Sequence, residues 1–449
     1  MKPEKTNRAT HSRLLRIALP WVLSAVFCWL IYGVARRMLG SSGGSLNRRY
    51  RDFLEFYSGA AAMLRGGDVY AAGYLGYIYP PLFAFLMLPL AKLSIAKAAL
   101  VWIAVKTGLL AACGWLGAKE VRSRFSLSTD WLSVALVFLI SALLDIDKLR
   151  TEMNMQQSNL LILLCFILAL RWLDRRPLLS GLALGFGANI KYVTLVSLPY
   201  LLVRRRFKAF FATIAGSLSW ALLPATILGW HRNMELLGKA VDGLVNLART
   251  DAAAAGSAKI FGPLFGLSVP AFAARYFGSG GGHSAVSITV VFAAALLFSL
   301  AVRAIYRAAG VPLFPGRAGQ PEKRGLAAGV VALEWAGLIV IVLAFSPQTD
   351  SPHLSMLLVP CLAAVCVLSM PYGQVSGTPL VLGLAVMVAG LVLPPGAVGL
   401  DRAVHFWLDL SGPIWCVLIM YLTLLWVGLR RLKAQAVSRS NVDLDFWRE

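Results

Sequence analysis

The chain has 449 residues, of which 58% are hydrophobic and only 14% are charged, at a mean hydropathy of +0.70. A soluble domain cannot carry that much apolar surface, so composition excludes a cytosolic enzyme and points to a polytopic membrane protein. The formal net charge of +22 would suggest nucleic acid for a soluble chain. Here Lys and Arg cluster at the ends of apolar segments, so lipid head groups and phosphorylated lipids are the expected partners, and nucleic acid is not.

The chain opens on a basic tail, 1–14, with Lys2, Lys5, Arg8 and Arg13 ahead of an apolar run over 17–35. No convincing small-residue cleavage site follows, so an uncleaved anchor with a cytoplasmic N-terminus is expected. Apolar segments then recur as far as residue 429, which predicts one membrane domain over 15–430 and a cytoplasmic tail over 431–449. Its outer side carries a first loop at 36–96 and a long loop at 230–283. The cysteines all fall inside apolar segments without CxxC or His-Cys spacing, so neither a disulfide framework nor a metal site is expected.

Two segments depart from the length of about 20 residues that a helical span needs. Segment 82–94 is short, and segment 178–203 is long and carries Lys191 in its middle. The basic loops "KEVRSR", "DRRP", "RRRFK" and "RRLK" belong on one side by the positive-inside rule. That condition lays 82–94 on or into the outer leaflet and splits 178–203 near Lys191 into two half-spans that turn back. The predicted architecture is an all-α polytopic protein of about twelve spans, with outer juxtamembrane helices. Interrupted helices with a charge at membrane depth are tolerated where they line a cavity, so "GFGANIKY" marks a functional interior.

Individual residues each admit two readings. Periodicity predicts an amphipathic helix over 52–64, with Phe53, Phe56, Tyr57, Ala60 and Leu64 forming an interfacial face. Asp52 is either its N-cap or a general base for a hydroxyl, and Arg49 either meets lipid phosphates or serves a site. The tyrosines after Gly67, including Tyr77 and Tyr79, suit a bilayer interface or the stacking of sugar rings. Gln157 and Asn159 either cap a span or hydrogen-bond sugar hydroxyls. Lys191 either snorkels to the interface or meets an anion such as the phosphate of a lipid carrier. His353, after "SPQTDSP", is either a structural helix-start residue or another donor to a phosphate or sugar.

Taken in order, "DFLEFYSGAAAMLRGGDVY", "YIYPPLFAFLMLPLAKL", "QQSNLLILL", "GLALGFGANIKYVTLVSLPYLLVRRR" and "SPQTDSPHLSMLLVP" resemble glycosyltransferase family 87 of the multispanning GT-C class. The likeness runs from about Arg48 to Pro360. It implies inverting transfer, without a nucleotide-sugar, from a polyprenyl-phosphate-linked sugar to an extracytoplasmic glycolipid or glycan. Mannose is the expected sugar and the inner (plasma) membrane the expected location. The family's general base matches Asp52, its basic residue Lys191, its histidine His353, and its "GQxN" amides Gln157 and Asn159. The chain departs from the family pattern at Gln156, Thr194 and Leu354.

An inverting displacement needs one carboxylate, whereas a retaining hydrolase needs a second about 5 Å away, for which Glu55 is the obvious candidate. Glu55 is otherwise assigned to sugar or acceptor binding, with Tyr77, Tyr79, Gln157 and Asn159. Cations must stabilise the departing phosphate, a role for Lys191, His353, Arg232 and Arg49. The chemistry requires no metal or cofactor. The rival from another class is a lipid-linked sugar flippase, which needs a polar lining but no single proton acceptor.

Overall fold

The computed structural model describes residues 3–39, 50–73, 76–249, 266–278, 284–313, 321–370, 375–392 and 401–446. Among them all regular structure is helical, and 7 helices are long and apolar enough to cross a membrane. Shorter apolar helices, such as Trp131–Leu144, Asn159–Trp172 and Thr378–Val392, complete the bundle. The protein is therefore an all-α polytopic membrane protein.

Ion pairs orient the spans. Helix Ile95–Arg124 has 30 residues and a last turn that carries Arg122 and Arg124. At 1.5 Å per residue it is about 45 Å long, enough to cross the bilayer and reach head groups at both sides. Arg124 donates to the Leu170 carbonyl at 2.6 Å and pairs with Asp174 at 3.1 Å. Arg206 meets the same Asp174 at 2.7 Å. The C-terminal end of Asn159–Trp172, the end of Ile95–Arg124 and the arginines at 204–206 therefore gather at one basic end of the bundle.

The long segment 178–203 is broken as its central lysine predicts. Helix Pro177–Ala188 leaves the basic end and stops at Asn189–Lys191, where Lys191 Nζ reaches Asn159 at the opposite end of Asn159–Trp172. The chain then turns into the 3-10 stretch Tyr192–Val196 and helix Ser197–Val203, and returns to Arg206 beside Asp174. Thr194 lies back against its own incoming helix and donates to the Leu184 carbonyl at 2.7 Å. Gly187 permits that approach, because a Cβ there would stand 2.6 Å from Thr194 Cγ2.

At the other end two short helices lie side by side. Asp52–Leu64 starts and stops where periodicity predicts, but most of its apolar face is covered by protein: Phe53, Phe56 and Ala60 are fully buried, Tyr57 is half-buried and Leu64 stays exposed. The partner is Pro81–Ala91, 11 residues and about 16 Å long, roughly half of what the hydrocarbon core requires. Phe56 sits 4.8 Å from Phe83 and 5.0 Å from Tyr79, ring centre to ring centre, and Trp102 of the span Ile95–Arg124 closes the cluster. This aromatic packing fixes the first helix, and hence Asp52, relative to the spans. The N-cap reading of Asp52 is overturned. Arg51 holds the cap position without a side-chain bond, and Asp52 is the first helical residue.

Candidate active site

A cavity of about 580 Å³ opens where these pieces meet, and Asp52, Glu55, Tyr79, Gln157, Lys191 and His353 all line it. Asp52 and Glu55 come from the first short helix, Gln157 from the turn before Asn159–Trp172, and Lys191 from the break in the split segment. His353 lies on the 3-10 stretch Ser351–Leu357 that begins another span. Ile341, Val342 and Phe345 of the span Leu326–Phe345 add an apolar wall.

Lys191 is the hub. Its ammonium has three hydrogens and meets three acceptors: Gln157 Oε1 at 2.9 Å, Asn159 Oδ1 at 2.8 Å and His353 Nε2 at 3.1 Å. It also stands 5.6 Å from the centre of the Tyr79 ring, within cation–π range. An ammonium only donates, so His353 Nε2 must accept. The other ring nitrogen, Nδ1, faces both the carboxylate and the backbone N–H of Asp350. The same logic orients Gln157: its carbonyl is held by Lys191, so its amide nitrogen donates to Asp52 Oδ2. Asp52 and Lys191 are therefore bridged by one glutamine side chain.

Burial pushes the Asp52 carboxyl up to about 7, the nearby Asp350 charge adds to the rise, and Lys191 opposes it. A carboxyl at that value is well matched to taking a proton near neutrality. Asp350 goes the other way. Burial raises it, but the adjoining His353 and then Lys191 outweigh burial and hold it below the usual carboxylate value.

Gly73 shapes the loop over the first helix. Its φ of +94° suits glycine alone, and a Cβ would run into the Glu55 carboxylate. Tyr79 directs its hydroxyl to Gln157 Oε1 at 3.4 Å.

Not every expected residue converges. Arg232 donates to the carbonyls of Gly66 and Gly67 and is not part of the cavity wall. It is one turn of a clamp in which Lys239 also pairs with Asp68 at 3.0 Å, so backbone oxygens occupy the guanidinium assigned to phosphate. Tyr77 is buried beside the cavity, and its hydroxyl donates to the Pro80 carbonyl at 3.1 Å. Asn159 touches Lys191 from behind and does not line the wall. Arg49 lies outside the described residues.

Three acidic or basic groups escaped the sequence reading. Asp350 sits in the quoted "SPQTDSP" but was overshadowed by the histidine. Lys106 and Glu152 form a buried ion pair at 3.0 Å directly behind Asn159. Lys106, in "IAVKTGLL", is as anomalous in an apolar run as Lys191, and that signal was available. Among the described residues no group of three or more His, Cys, Asp or Glu is placed to hold a metal.

The family model for glycosyltransferase family 87 matches residues 77–318, more than half of the chain. The chain belongs to glycosyltransferase family 87. The matched stretch of this family 87 member contains Gln157, Asn159 and Lys191, while Asp52 and His353 fall on either side of it. A polyprenol-phosphate-mannose-dependent alpha-(1-2)-phosphatidylinositol mannoside mannosyltransferase of Mycobacterium tuberculosis is 29% identical over 245 residues, 50% of this chain and 55% of the relative. The enzyme of the same description from Mycolicibacterium smegmatis is 28% identical over 205 residues, 41% of this chain and 46% of the relative. The chain thus spans about half the length of the curated relatives it matches. No solved structure matches it significantly.

Proposed function

We propose that this protein transfers mannose, with inversion, from a polyprenyl-phosphate-linked donor to a glycolipid acceptor, and that Asp52 is the general base. One observation carries the reading: a half-buried carboxylate, pushed up to about 7, and a half-buried ammonium share a single cavity, joined through Gln157. The acceptor hydroxyl oxygen attacks the anomeric carbon while its proton passes to Asp52. The bond from that carbon to the phosphate oxygen breaks on the opposite side, and the electron pair leaves with the lipid phosphate. Lys191 stabilises the charge that grows on the phosphate, and His353, 3.1 Å from its ammonium, positions it. Glu55, Tyr79 and Gln157 are available to sugar or acceptor hydroxyls. The wall of Ile341, Val342 and Phe345 offers an apolar flank to the polyprenyl tail.

The relatives' names suggest a phosphatidylinositol mannoside as acceptor, and the first acceptor to try is of that class. The site is assigned to the extracytoplasmic face of the plasma membrane. The support is charge: the bundle end opposite the cavity carries Arg122, Arg124, Arg204 and Arg206, which the positive-inside rule sets in the cytoplasm.

The test is reconstitution of the purified protein in liposomes with polyprenyl-phosphate-[14C]mannose and a phosphatidylinositol mannoside. A radiolabelled glycolipid with one added mannose is expected. Movement of intact donor between leaflets without a new glycosidic bond would select the flippase reading instead. Asp52 favours the enzyme, because glycosyl transfer to a hydroxyl needs a proton acceptor beside the attacking oxygen and passive translocation of a lipid-linked sugar does not.

A further inference from the structure

We infer that Lys106 and Glu152 are a positioning pair, which locks the Asn159 amide so that Lys191 presents its ammonium to a lipid phosphate in the cavity. This rests on the reading of Lys191 as the phosphate ligand given above. The side chains are 1% and 0% exposed, and Lys106 Nζ meets Glu152 Oε1 at 3.0 Å and the Glu152 carbonyl at 2.6 Å. Neither side chain lines the cavity.

Holding two helices together does not explain such a pair. Replacing a buried ion pair by apolar side chains of similar size is often neutral for stability or favourable, so tying Ile146–Met155 to Ile95–Arg124 does not require charge. What an apolar pair cannot do is orient an amide. Glu152 Oε2 accepts from Asn159 Nδ2 at 2.9 Å, and Asn159 Oδ1 accepts from Lys191 Nζ at 2.8 Å. A carboxylate has no proton to give, so only one orientation of the Asn159 amide satisfies both neighbours. The flipped amide would set its NH2 against the ammonium and its carbonyl against the carboxylate. Lys106 compensates the charge that makes Glu152 a strong acceptor.

Lys191 is thereby held on three sides, by Asn159 behind and by Gln157 and His353 at the flanks. An incoming phosphate has to take the place of one of these acceptors. With Asn159 locked from behind, exchange is confined to the cavity side, where Gln157 and His353 stand.

The experiment measures farnesyl phosphate binding to the full-length protein in nanodiscs, which needs no turnover, alongside thermal unfolding. Lys106→Met/Glu152→Leu removes the pair and the acceptor, and should unfold near the wild-type temperature while binding about tenfold more weakly, as loss of a hydrogen bond to a charged site implies. Lys106→Met/Glu152→Gln removes both charges and keeps an oxygen for Asn159 but brings an NH2 that no longer enforces one amide orientation, so it should bind more tightly than the Leu variant and more weakly than wild type. Glu152→Asp keeps the ion pair and withdraws the acceptor by one methylene, so it should bind like the Leu variant; it decides the matter alone where the double variants do not fold. Unchanged binding in Glu152→Asp, or equal losses in the Gln and Leu variants, overturns the positioning role. Wild-type protein that ignores farnesyl phosphate overturns the phosphate reading of Lys191, and this inference with it.

Discussion

Lys191 Nζ and His353 Nε2 stand 3.1 Å apart although 162 residues separate them in the chain, and both face one cavity. The contact exists because the split segment and the 3-10 stretch Ser351–Leu357 both break regular helix at the same end of the bundle. Irregular backbone at that depth is tolerated where it borders a hollow, and here it delivers a cation and an imidazole to the same place.

Removing the cation separates binding from base catalysis. Lys191→Met should raise the donor KM by about tenfold or more, because a buried charge-assisted contact to phosphate is lost. Steady-state kinetics at varied donor concentration reads this directly, and a donor KM equal to that of wild type contradicts the phosphate role.

The pH profile follows from the direction of the Asp52 shift. The base works deprotonated, so kcat/KM should fall about tenfold per unit below its midpoint and level off above it. Burial sets that midpoint near 7, and the Asp350 charge helps hold it there. Asp350→Asn takes away a negative neighbour, so the midpoint should move to lower pH. A rise, or no movement, would show that Asp52 does not govern the profile.

Gly73→Ala tests the loop over the first helix. Its φ of +94° strains any L side chain, and a methyl group there would have to displace the Glu55 carboxylate. A cost of about 1–3 kcal/mol is expected for a side chain forced into that region, visible as a lower unfolding temperature. Unaltered stability would mean that the loop relaxes freely.

Within the bundle, Glu334 accepts from Tyr200 at 2.9 Å and Tyr306 at 3.0 Å, and is paired with Arg204. It anchors the returning half of the split segment to the span Leu326–Phe345. Glu334→Ala removes the acceptor shared by Arg204, Tyr200 and Tyr306 and should destabilise by about 3–5 kcal/mol. Measured unfolding within experimental error of wild type contradicts the anchor.

Much of this was legible in the sequence because cost is legible. A lysine amid apolar residues predicted both the break at Lys191 and a polar interior, and loop charges predicted that 178–203 turns back. Periodicity placed 52–64 as a helix but not what covers it. The same apolar stripe serves lipid or protein, and only the aromatic packing of Phe56, Phe83 and Trp102 decides between them. That Arg232 stands apart from the cavity was not legible for a related reason: sequence does not show that the Gly66 and Gly67 carbonyls engage its guanidinium. Glu152 was hidden because its partner, Lys106, lies 46 positions away on a different helix.

The base itself can be tested with one isosteric change. Asp52→Asn in proteoliposomes, with polyprenyl-phosphate-[14C]mannose and a phosphatidylinositol mannoside, should cut mannosyl transfer by about 10²–10⁴-fold while farnesyl phosphate binding stays near wild type. Transfer at the wild-type rate by that variant would contradict the account, since no proton acceptor would then be needed at position 52.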